Sequence, residues 1–80
     1  MNDKLKEGLK VVSSDGDHIG KIENVYIDTE EGPIFIELSK HENANSVQLI
    51  PVAYVREILG NKILLAAKTS AIDGLPSFKP

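Results

Sequence analysis

Ser14, Asp15 and His18 are the residue types of a hydrolytic triad, crowded into one short stretch. A working triad needs an oriented base, a buried acid and an oxyanion hole, and one exposed turn does not readily supply them. Polar turn chemistry accounts for all three residues. Asp28, Glu30 and Glu31 form a second candidate cluster, with oxygen donors suited to a hard cation. They lack the spaced ligand ladder of a calcium loop, and acids at a hairpin tip are ordinarily solvated. His18 and His41 each stand alone and read as surface residues rather than zinc ligands. Without cysteine there is neither a disulfide nor a thiolate metal site. The residues therefore point to no catalytic group, no cofactor and no metal, and the chain is not read as an enzyme.

Association is the chemistry the sequence supports better. Phe35, Tyr54, Leu64, Ile72, Leu75 and Phe78 exceed what one face of a tiny sheet needs. Either they complete the core and pin the C-terminal tail, or several form an exposed patch that makes a dimer or docks a partner. These six are the candidate interaction surface. Addition of a strand at a sheet edge would be a further route.

Eighty residues suit a single domain, residues 1–80, with a core over 9–67 and a turn and tail over 68–80. A chain of this length buries roughly 60–65% of the surface its unfolded form exposes, so its stability is modest. Sheet closure and self-association are the two remaining ways to supplement that core. Net charge is −3, from nine basic and twelve acidic residues with the signs interspersed, so there is no broad basic footprint for nucleic acid. The longest apolar runs, such as 63–67, fall far short of the roughly 20 residues of a membrane span. No signal-like leader opens the chain, and with no cysteine present the expected location is cytoplasmic.

The elements that would carry these residues follow from periodicity. Leu9 to Ser13 and His18 to Asp28 read as strands joined by Ser14-Asp15-Gly16-Asp17, where Asp bonds the nearby backbone and Gly16 takes a positive φ. Gly20, inside the second strand, marks a bulge, a bend or a close backbone approach. Alternation fails between Ile22 and Val25, which predicts a bulge near Glu23-Asn24. After the acidic turn 28–32, Ile34, Ile36 and Leu38 alternate cleanly toward a core, leaving Phe35 half covered on the other side. Residues 40–46 are a polar loop, and Val47 to Pro51 is a short strand. Segment 52–59 fits helix or strand; the reading taken is a tight turn at 52–54, then a hairpin of 55–59 with 62–67 around Gly60-Asn61. Thr69 or Ser70 caps a short helical turn, with Asp73 as the acid of a capping box and Gly74 at its end. Six short strands with turns every eight to twelve residues predict an all-β fold: a small closed or nearly closed antiparallel barrel, with a C-terminal helical turn.

The pattern Val12-x-x-Asp15-Gly16-x-x-x-Gly20-Lys21-Ile22, followed by Val25-Tyr26-Ile27-Asp28, resembles the opening hairpin of PRC-barrel domains. Ile50-Pro51-Val52-x-x-Val55 is similar to that family's next step, and Lys62-Ile63-Leu64-Leu65 with Leu75-Pro76-x-Phe78 to its last strand and tail. The resemblance implies a small β-barrel that serves as a protein-interaction module rather than a catalyst. It offers no catalytic motif to carry over, so Asp15, Gly16, Gly20, Gly60 and Asn61 match as structural positions. Related domains occur in a photosynthetic reaction-centre subunit and in a ribosome maturation factor. The leading expectation is a homodimer acting by protein–protein contact, its partner, pathway and oligomeric number not fixed by sequence. The alternative is an RNA- or ribosome-associated module, which requires Lys10, Lys21, Lys40, Lys62 and Lys68 to cluster.

Overall fold

The computed structural model describes residues 5–39 and 47–78, with side chains up to residue 76. The polar loop expected at 40–46 and His41 within it lie outside the described residues. Strands β1 (Lys10–Val12), β2 (His18–Asp28), β3 (Gly32–Ser39) and β4 (Val47–Pro51) follow the expected order. A single 3-10 turn, Val52–Tyr54, then leads to β5 (Val55–Leu59) and β6 (Lys62–Leu65). Helix α1 (Thr69–Asp73) and a two-residue strand β7 (Ser77–Phe78) complete the chain.

All seven strands join one sheet in the order β5-β6-β1-β2-β3-β4-β7. Besides a seventh strand, β7, two features bear on the expected closed or nearly closed antiparallel barrel of about six strands. The sheet stays open, because the outer strands β5 and β7 are not paired with each other. One pairing is parallel, β1 with β6, in the register Lys10↔Lys62 and Val11↔Ile63. Both follow from the connection between β4 and β5. Only Val52–Tyr54 separates these strands, yet they lie near opposite ends of the sheet order. Three residues span about 10 Å at most, so the sheet must curl until its ends approach. The result is barrel-like without being closed.

Curling gives the sheet one concave face, which holds the core. Val11, Ile22, Ile36, Leu38, Ile50 and Ile63 are all essentially inaccessible there, with Ile72 of α1 plugging the same cluster. The predicted bulge is present, as the β2–β3 register slips between Ile22 and Asn24. A second slip, between Tyr26 and Ile27, leaves Ile34 without a cross-strand partner. That bulge corrects one expectation: Ile34 is exposed, although its phase matches that of the buried Ile36 and Leu38.

The C-terminal helix is tied down from outside as well. Its N-cap is Lys68, one residue before the expected Thr69 or Ser70, and Lys68 makes no side-chain cap bond. Instead Asp15 of the first turn accepts the Thr69 amide at 3.2 Å. Thr69 Oγ1 lies 2.8 Å from both Asp17 Oδ2 and Ser13 Oγ. With one hydroxyl proton, Thr69 donates to the Asp17 carboxylate and accepts from Ser13. Ser13 Oγ also accepts the amides of Asp15 and Asp17. At the other end, buried Gln48 of β4 donates from Nε2 to the carbonyls of Ile72 (2.8 Å) and Leu75 (2.9 Å). Gln48 Oε1 is buried without a partner. Gln48→Leu loses the two donations but also the stranded oxygen, so it should cost about 1–2 kcal/mol, read from urea unfolding. Full wild-type stability would rule out the tether.

Candidate interaction surface

The far end of the β2–β3 hairpin carries most of the large apolar side chains that water reaches. Val25 pairs with Ile36, which is wholly buried, so the neighbouring pair Tyr26↔Phe35 faces outward. Asn24↔Glu37 lies on the same outer face. Tyr26, Ile34 and Phe35 are each more than a third exposed, and Ile27 is 67% exposed. Ile27 borders a shallow, open depression with Val25, Leu5, Lys6 and Glu7. Apolar surface thus continues around the hairpin end, because this stretch projects beyond what one small core can cover.

The Tyr26 phenol is also perturbed. Its hydroxyl donates to Glu37 Oε2 at 2.6 Å. That hydrogen bond, then partial desolvation, then the carboxylate's charge raise the phenol above its ordinary value of about 10. The neutral phenol is the favoured form, so its contribution is complete below pH 10 and is lost as pH rises through the folded value. Tyrosinate absorbance should therefore place the Tyr26 phenol above its ordinary range, and Glu37→Gln should bring it down. A Tyr26 titration unchanged by Glu37→Gln would contradict the contact.

On the same convex face the other end of β2 is basic. Lys21 lies directly opposite Lys10, and Lys10 directly opposite Lys62, across three adjacent strands. Each precedes a buried residue, Ile22, Val11 and Ile63, so all three point outward. Directly paired residues sit about 5 Å apart at Cβ, where like charges are destabilising. No ion pair neutralises this row among the described residues. Of the five lysines proposed to cluster, these three do; Lys68 stands at the N-cap of α1, and Lys40 lies outside the described residues.

The other candidates are dispersed. Ser14, Asp15 and His18 form no triad: the Ser14 amide bonds Ala67 O, Asp15 holds Thr69, and His18 is exposed at the start of β2. Asp28 Oδ2 accepts the amides of Glu30 and Glu31, which closes the acidic turn. No group of three or more acids or histidines is gathered for a metal among the described residues. Of the six expected interaction residues, Phe35 is exposed. Leu64 is half-buried, Tyr54 and Leu75 pack against the core, and Ile72 is inside it. The Phe78 side chain lies outside the described residues, while its backbone pairs with Val47. Tyr26 and Ile27 were not singled out as sites. The failed alternation around residues 22–27 was their signal, since a bulged strand shows side chains that regular pleating would hide.

No helix among the described residues is long and apolar enough to cross a membrane. A comparison with curated proteins finds no match. A family model for the PRC-barrel domain matches residues 7–71, from the lead-in to β1 as far as the middle of α1. That span includes the Asp15-Gly16 turn, Gly20 and strands β1 to β6, and with it the chain belongs to the PRC-barrel domain family.

Proposed function

We propose that this PRC-barrel domain is a non-enzymatic, cytoplasmic module that works by protein–protein contact and associates with itself. The observation that carries this reading is the exposed apolar end of the β2–β3 hairpin, with Tyr26 and Phe35 paired on one face and Ile27 and Ile34 beside them. Aromatic side chains amid polar surroundings are what protein interfaces bury at their centres. The charged remainder of the surface would set orientation and specificity rather than affinity.

Sedimentation velocity over a range of concentrations tests it. The wild type should show reversible dimer formation. Tyr26→Ser combined with Phe35→Ser should weaken association at least about thirtyfold, since two central aromatic contacts are together worth about 2 kcal/mol or more. Both side chains are partly exposed, so thermal unfolding of the double variant should stay near wild type. A wild type that sediments as a monomer throughout would reject self-association.

A further inference from the structure

Among the described residues the lysine row has no neutralising partner, and the turn at the other end of β2 carries the opposite charge. Lys21 and Asp28 both lie on β2, seven residues apart, or about 23 Å along a strand. That exceeds a physiological screening length of about 8 Å, so the two ends do not relieve each other intramolecularly. Between them lie the outward pairs Asn24↔Glu37 and Tyr26↔Phe35. Read along β2, the convex face runs from a basic row, through an aromatic centre, to the hairpin turn that carries Asp28, Glu30 and Glu31. A two-fold axis near Asn24 turns this polarity upon itself. It lays the acidic tip of each copy over the lysine row of the other and brings the Tyr26–Phe35 pairs together at the centre.

We infer that the occupant of this face is a second copy of the chain, bound isologously with β2 antiparallel to its counterpart. This rests on the self-association proposed above and specifies its surface. Three points favour it over a polyanion. The chain's net charge is −3, the acidic turn continues the same strand, and the exposed aromatic pair lies between the two charged ends. In an isologous contact each complementary pair occurs twice, so modest surface charges count double. They also bias encounter toward the correct orientation.

A charge swap on the full-length chain tests the arrangement. One variant carries Lys10→Glu and Lys21→Glu; the other carries Glu30→Lys and Glu31→Lys. All four positions are exposed, and thermal unfolding checks that each variant folds. Each variant alone should dimerise at least about tenfold more weakly than wild type, and wild-type dimerisation should weaken with added salt. An equimolar mixture of the two should recover near-wild-type affinity, because both charge contacts are restored with reversed sign. Wild-type dimerisation by the single variants, or no recovery on mixing, would overturn the geometry while leaving self-association intact. A monomeric wild type would overturn both. Binding of a 12-nucleotide oligouridylate that is lost with the lysine variant, while dimerisation persists, would assign the row to RNA and overturn the proposal.

Discussion

Gly20→Ala should lower the free energy of unfolding by at least about 3 kcal/mol, through an overlap that no rotamer can relieve. A Cβ at position 20 would land on the carbonyl oxygen of Ser39 and lie 2.8 Å from Leu38 Cδ1. The first of these is backbone, held in register by the pairing of Lys21 with Ser39. Gly20 itself pairs with Val11 of β1. The glycine therefore sits where three strands pass closest, and relief would require moving β2 away from β3. An 80-residue domain has roughly 4–12 kcal/mol in total, so this one methyl group removes a large share. The melting temperature should fall by about 15 °C. An alanine variant as stable as wild type would mean that β2 and β3 do not approach this closely.

Ile72→Ala should cost about 3 kcal/mol, as for other fully buried aliphatic residues cut back to alanine. Ile72 is inaccessible to solvent and packs in the same cluster as Ile36, Ile50 and Leu65. This prediction separates two roles for the C-terminal segment. If α1 were chiefly an association element, the change would weaken dimerisation and leave the monomer's stability unaltered. With Ile72 in the core, unfolding shifts even at concentrations where only monomer is present. Truncation after Lys68 extends the same logic. It removes Ile72, the Thr69 clasp on the first turn, both acceptors of Gln48 and the strand beside β4. The truncated chain should fail to fold cooperatively.

Turn chemistry and periodicity were enough to place the strands. The bounds of β2 and β4, the bulge between Ile22 and Asn24, the turn at 52–54 and the hairpin around Gly60-Asn61 were all legible. Each depends on residues a few positions apart, where backbone preference and alternation act directly. The special role of Gly20 was legible too, though the strand it approaches was not.

The candidate surface was only partly legible, and the reasons are particular. Leu75 and Ile72 looked surplus to one sheet face, yet the sheet curls and the helix fills the mouth of its concave side. Ile34 had the phase of a core residue, but a bulge beside it carried the hairpin end past the core. The lysine row joins residues 10, 21 and 62, and its last link is a parallel pairing. The helix cap comes from Asp15, 54 positions earlier in the chain. What the sequence by itself determined was the first six strands, the short helix after them, their turns and the family, but not the strand β7. The tertiary structure alone decided which strands meet across long separations, and so which apolar side chains are core and which charges stand together. Such pairings depend on how the whole sheet curls, and no local preference encodes that.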